Sequence, residues 1–144
     1  MSHITDLWTA GKAPSRSGLY RADGSARTIE TDGPALSRFA LGPPLDLDAL
    51  LAESPLSVTE IDIHPQCFVA LPDRSGFICG GDGALGSDGF FARLDAGRSP
   101  LWVASMCDSN PFEKAELRGW VACFTNNLGN SVVVDLLNAD FDAQ

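Results

Sequence analysis

The chain has 144 residues and carries 19 acidic against 10 Lys and Arg side chains, for a net charge of −9. This length suits one domain spanning residues 1–144, and the charge opposes binding to nucleic-acid backbones and anionic membranes. No stretch approaches the roughly 18 consecutive apolar residues of a membrane helix. Because the N-terminus also lacks a basic leader followed by an apolar run, we expect a cytoplasmic protein.

The first predicted elements are a segment without regular structure and a hairpin. Residues 1–17 are expected to be irregular, with Leu7 and Trp8 anchoring them. Within residues 18–30, Asp23-Gly24 separates two short runs. This dipeptide favours a β-hairpin turn, because glycine tolerates a positive φ.

One short helix is predicted near residues 46–53. Leu47, Leu50 and Leu51 recur at helical spacing. An acidic residue at position 46 or 48 suits the positive N-terminal end of a helix.

The remaining predicted elements are β-strands. The segments "LSVTEIDIHP", "QCFVALP" and "GFICG" are typical of strands, and five more follow between residues 89 and 136: "GFFARLD", "LWVASMC", "PFEKAEL", "WVACFT" and "SVVVDL". "LWVASMC" and "WVACFT" are apolar on both faces, as buried central strands are. Connections this short require antiparallel pairing. The predicted fold is therefore mainly β, at the margin of α+β: an antiparallel meander or sandwich with one short helix.

The glycine-rich stretch "GGDGALGSDGFF" matches the dinucleotide pattern GxGxxG at residues 81–86. That pattern needs a helix after its third glycine, whereas a strand pattern follows here, so nucleotide binding is excluded. Asp82 and Asp88 offer oxygen ligands for calcium, but the spacing of an EF-hand is absent. We interpret the stretch as a loop between two strands, and calcium or small-ligand binding at Gly80–Gly89 stays as an alternative.

No catalytic set stands out, so the sequence predicts a protein that is not an enzyme and that needs no cofactor. There is no GxSxG motif, and the two histidines are His3 and His64. His64 lies three residues before Cys67 with a proline between them, which opposes a nucleophilic Cys-His pair. The four cysteines, Cys67, Cys79, Cys107 and Cys123, lie far apart in apolar segments, so we expect reduced core thiols.

The acidic residues are unevenly distributed along the chain. No Lys or Arg occurs from residue 39 to residue 73, where several acids lie. Such a cluster creates a negative field that steers a cationic partner, although the same charge also suits a solvated surface that maintains solubility.

One part of the chain resembles a known class of proteins. The run "GALGSDGFFARLD", followed by "LWV" and "DSNPF", covers about Gly80 to Phe112. It resembles small acidic bacterial immunity-type proteins associated with polymorphic toxin loci of the contact-dependent or Rhs type. The resemblance implies an immunity partner of a toxin domain, and it supplies scaffold positions but no inhibitory residues.

We therefore expect an immunity protein that neutralises a cognate toxin with a basic surface by protein–protein occlusion. The candidate partner-binding residues are acids of the base-free segment, acids on loops, and one tryptophan: Asp46, Asp48, Glu53, Glu60, Asp62, Asp82, Asp88, Asp108 and Trp120. No metal ligands are assigned. A non-catalytic structural subunit is the other alternative.

Overall fold

The computed structural model describes residues 3–138. Its α-helices are α1 (His3–Thr9) and α2 (Leu47–Glu53), and a 3₁₀ turn spans Gly33–Ala35. The strands are β1 (Lys12–Pro14), β2 (Gly18–Arg21), β3 (Ala26–Thr31), β4 (Phe39–Pro44), β5 (Val58–Ala70), β6 (Gly76–Gly83), β7 (Gly89–Asp95), β8 (Pro100–Met106), β9 (Phe112–Arg118), β10 (Val121–Asn126) and β11 (Ser131–Asp135).

The strands form two antiparallel sheets. The large sheet has eight strands in the order β1-β5-β6-β7-β8-β2-β3-β4, and the small sheet has three in the order β11-β10-β9. The prediction of a mainly antiparallel β fold is confirmed. The architecture is a sandwich, because the chain leaves the large sheet after β8 and β9 packs close to β5 and β6.

The large sheet is covered on both faces. Alternate residues of its central strands point to opposite sides. One face, carrying Phe91 and Ala104, shares a core with Phe124 of the small sheet. The other face, carrying Phe90 and Val103, shares a second core with the two helices. Burial on both sides explains why β7 and β8 are almost continuously apolar.

Phe91 is the centre of the core between the sheets. Its ring stacks on Phe124 with the centroids 4.3 Å apart, and it meets Trp102 and Phe112 edge to face at 5.9 Å and 5.4 Å. These are the geometries that aromatic pairs prefer. Trp102 is buried and belongs to this core.

The N-terminal segment was expected to be irregular. This expectation is wrong from residue 3 onward, where the described part of the chain begins. Residues 3–9 form α1, and β1 pairs with β5 at the edge of the large sheet. Helix α1 buries Ile4 and sets the Trp8 ring edge-on to Phe90 at 5.8 Å. The helix has only seven residues, too few to show a clear apolar period in the sequence.

The helix predicted near residues 46–53 is confirmed as α2. Asp46 caps it, since its Oδ1 accepts a hydrogen bond from the Ala49 amide at 3.1 Å. The hairpin at Asp23-Gly24 is also confirmed: β2 pairs with β3, and Gly24 has a φ of 95°.

Strand β10 was predicted to be buried on both faces, but the structure buries only one face of it. It is the central strand of the small sheet, but only Ala122, Phe124 and Asn126 are buried. Val121 and Cys123 alternate with them on the outer face, which has no third layer among residues 3–138. Apolar composition alone does not distinguish a strand buried on both faces from one buried on a single face.

Removing the ring of Phe91 should destabilise the protein strongly. We expect Phe91→Ala to lower the free energy of unfolding by about 3–5 kcal/mol, because it leaves a cavity among three aromatic rings. Urea denaturation measures this change. The matched control is Leu56→Ala, at a side chain that is 93% exposed, which should shift the free energy by no more than about 0.5 kcal/mol. Similar losses in both variants would contradict the assigned core.

Candidate partner-binding surface

The structure separates the predicted acidic residues instead of gathering them into one surface. Asp46, Asp48 and Glu53 belong to α2 and its cap, on the helix-covered side of the large sheet. Glu60 and Asp62 lie on β5, and Asp82 lies on the adjacent strand β6. Asp108 is exposed in the connection after β8.

Three of these acids form a compact group, which we call the β5–β6 acidic patch: Glu60, Asp62 and Asp82. Asp62 and Asp82 are directly opposite partners in the antiparallel pairing, so their side chains lie on the same face. Glu60 lies two residues before Asp62 and therefore points to that face too. Glu60 and Asp62 are exposed, and Asp82 is half-buried.

No cation forms an ion pair with the β5–β6 acidic patch within the described chain. None of its three carboxylates forms an ion pair with residues 3–138. Lys12 is the cross-strand neighbour of Glu60, yet the two make no ion pair. Like charges directly opposite each other in a sheet are destabilising. The patch is therefore a concentrated negative charge held in place by backbone pairing.

Glycines allow the strands of this patch to pair closely. A Cβ on Gly81 would collide with the carbonyl oxygen of Asp62 on β5, and one on Gly80 would meet Cys67 Sγ at 2.8 Å. The expectation of a loop at residues 80–89 is therefore wrong in its first half. Residues 80–83 belong to β6, and the turn itself occupies residues 84–88.

Asp88 is not a surface contact, contrary to the prediction. It is 5% exposed, and its Oδ1 accepts a hydrogen bond from the Leu85 amide at 3.1 Å, within the turn. A Cβ on Gly83 would meet its carboxylate. Since Gly83 follows Asp82 in the strand, the two aspartates are directed to opposite faces of the sheet and do not converge on one ligand.

The predicted aromatic anchor, Trp120, is half-buried between β9 and β10. Its ring packs against the core, and the Arg93 guanidinium lies 5.6 Å from its centroid. Only part of this ring is open to a partner. Tyr20 is fully buried and offers no anchor to a partner, and burial raises the pKa of its hydroxyl.

A polar cleft of about 370 Å³ lies beside α2. Its walls include His3, Asp48 and the tip of the β2–β3 hairpin. His3 Nδ1 lies 2.7 Å from Asp48 Oδ1, which links α1 to α2. Sequence reasoning assigned no role to His3, because the pairing joins residues that are distant in the chain. The cleft has the size and polarity to admit a small polar molecule.

The histidine and cysteines form no nucleophilic pair in the described chain. His64 lies within β5, where its Nδ1 accepts a hydrogen bond from the Gln66 amide at 3.3 Å. All four cysteines are free. Cys67 and Cys79 are buried as expected, but Cys123 is half-buried and Cys107 is exposed, so the prediction of four core thiols is only partly correct. Burial raises the pKa of the Cys67 thiol to about 12 and raises that of Cys79 as well.

Two further findings concern possible ligands and membranes. Across residues 3–138, no three His, Cys, Asp or Glu side chains are grouped to share a metal ion. In the same range, neither helix has the length and apolar character to cross a membrane.

Comparisons of the chain with protein-family models, with curated proteins and with solved structures found no match.

The four thiols should differ sharply in reactivity. At neutral pH in the native protein, we expect an aromatic disulfide reagent to modify Cys107 first and to leave Cys67 and Cys79 unmodified, because thiolate is the reactive form. In denaturant all four should react. Cys107→Ser is the control and should remove the fast phase. Fast labelling of Cys67 in the folded protein would contradict the assigned core.

Proposed function

We propose that this protein is an immunity-type inhibitor, which binds a cognate toxin domain and neutralises it by occlusion. The β5–β6 acidic patch is the proposed contact surface, and the proposed partner carries a complementary basic surface. The observation that carries the proposal is the direct opposition of Asp62 and Asp82, with no ion pair to either from residues 3–138. The proposal assigns no catalytic step to this chain and places it in the cytoplasm.

The energetics of the patch support a binding role. Two carboxylates held directly opposite each other cost the fold on the order of 0.2–1 kcal/mol. A cationic side chain placed between them would remove this repulsion and add charge-assisted hydrogen bonds. Binding would then recover free energy that the isolated protein loses. A surface needed only for solubility would be served equally well by separated charges.

The charge of the whole chain supports rapid capture of a basic partner. A net charge of −9 on a chain of this size produces a long-range negative field. Electrostatic steering of this kind raises association rates by about 10- to 1,000-fold at low ionic strength. Fast capture suits an inhibitor that must bind its toxin before the toxin reaches its target.

The segment that resembles immunity-type proteins serves as scaffold in this structure. Residues 80–112 contain the end of β6, the turn after it, β7, β8 and the start of β9. Its phenylalanines at positions 90, 91 and 112 are all buried. The resemblance therefore supplies scaffold positions only, and the contact residues are proposed from charge and register.

A structural-subunit role is the second candidate, favoured by the outer face of the small sheet. Val121 and Val133 are 41% and 51% exposed there, and an open groove of about 330 Å³ runs between them. An exposed apolar face on a sheet is a common site of assembly. Self-association measured by light scattering separates this role from binding through the acidic patch.

Reversing one charge of the pair should abolish fast capture without harming the fold. The partner for this test is the protein encoded by the adjacent gene, co-expressed first to establish that it kills alone and is neutralised here. In Asp82→Lys, the new ammonium group lies opposite Asp62 and replaces repulsion with attraction. We expect the association rate at low salt to fall at least about 10-fold, while the melting temperature stays equal or rises.

The matched control is Asp23→Lys, which makes the same charge change at the exposed tip of the β2–β3 hairpin. It should leave the association rate within about twofold of the wild type, because β2 lies three strands from β6 in the large sheet, away from the patch. Equal rates for wild type, Asp82→Lys and Asp23→Lys would contradict recognition through the patch.

A further inference from the structure

A small cavity lies beneath the turn that follows β6. It has a volume of about 10 Å³ and is bounded by β1, β5, the turn residue Asp88 and the end of β8. The residues with polar side chains around it are Asp88, Ser105, Thr59 and Ser15. Asp88 and Ser105 are 5% and 3% exposed, so both are cut off from bulk water.

Two polar atoms of this lining lack a hydrogen-bond partner within residues 3–138: Asp88 Oδ2 and Ser105 Oγ. Leaving a buried polar group unsatisfied costs about 1–3 kcal/mol, and more when the group is charged. Natural proteins satisfy most such groups, either internally or with ordered water.

Two neighbouring groups, Asp88 Oδ1 and the Thr59 hydroxyl, already have hydrogen-bond partners. Asp88 Oδ1 accepts from the Leu85 amide at 3.1 Å. Thr59 Oγ1 accepts from the Ala84 amide at 2.9 Å and donates to the carbonyl oxygen of Glu60 at 3.3 Å. The hydroxyl of Thr59 therefore has no second proton to offer Asp88 Oδ2.

We propose that this cavity is a binding site for one buried water molecule that joins Asp88 to Ser105. The water donates a hydrogen bond to Asp88 Oδ2 and accepts one from the Ser105 hydroxyl, so a single guest satisfies both atoms. A cavity needs roughly 10–15 Å³ of this measure to hold one water. The volume therefore admits one water-sized guest and excludes any organic ligand.

The small number of available oxygen ligands favours water over a metal cation as the guest. A single carboxylate oxygen and one hydroxyl are the unsatisfied atoms here, whereas a calcium ion takes about 6–8 oxygen ligands. The bound water connects the turn at residues 84–88 to β8 through hydrogen bonds. That turn follows the end of β6, where Asp82 lies, so the water helps to hold the acidic patch in register.

A crystal structure at a resolution of about 1.5 Å or better tests the proposal directly. We expect one density peak about 2.7–3.0 Å from both Asp88 Oδ2 and Ser105 Oγ. In solution, a cross-relaxation signal between long-lived water and the Leu85 amide proton should report the same molecule. A dry cavity with both atoms bonded to protein would overturn the proposal. A peak with oxygen distances near 2.4 Å that disappears on exchange of sodium or calcium would also overturn it.

A pair of variants provides the control. Ser105→Val fills the space of the guest, and we expect the peak and the cross-relaxation signal to disappear. The folding equilibrium constant should fall on the order of 10-fold, since Asp88 Oδ2 is left unsatisfied. Ser105→Ala removes the hydroxyl but leaves the space, so the water should persist on Asp88. If Ser105→Val does not fold, loss of the peak in Ser105→Ala would count against the proposed site.

Discussion

Burial of the large sheet on both faces is the constraint on which the rest of the structure depends. Strands β6, β7 and β8 are covered by the small sheet on one side and by α1 and α2 on the other. Charged side chains are expensive in such an interior unless they are paired. Most acids among residues 3–138 therefore lie on helices, on turns and towards one edge of the sheet. The position of the acidic patch follows from this distribution.

The acidic patch lies where the sheet changes from a covered centre to an open margin. Within β6, Ile78 and Cys79 are fully buried, whereas Asp82 at the far end is half-buried. Gly81, between these parts, lets β5 approach closely enough for Asp62 to pair with Asp82. The same backbone hydrogen bonds that close the sheet thus hold two negative charges together. This link between fold stability and surface charge is the basis of the proposed function.

The local sequence pattern predicted most of the helices and strands. The features that it missed depend on contacts between residues that are distant in the chain. Alternation and turn residues located the strands from β6 to β11, and Leu47, Leu50 and Leu51 located α2. Helix α1 was missed because its apolar face needs Phe90 as a partner. The pairing of Asp62 with Asp82 depends on strand register, and an irregularity lies just beyond it, between Ile63 and Phe68. From the sequence, Asp88 was expected to lie exposed on a loop. In the structure, the turn that contains Asp88 buries its side chain.

The repulsion between Asp62 and Asp82 is the central claim, and a double-mutant cycle measures it most directly. The cycle compares unfolding free energies for wild type, Asp62→Asn, Asp82→Asn and the double variant, at low and at high salt. The account predicts that each single variant is more stable than wild type. It predicts a coupling of about 0.2–1 kcal/mol at low salt that shrinks when salt screens the charges. Additive effects with no salt dependence would show that the two carboxylates do not interact and would contradict the account.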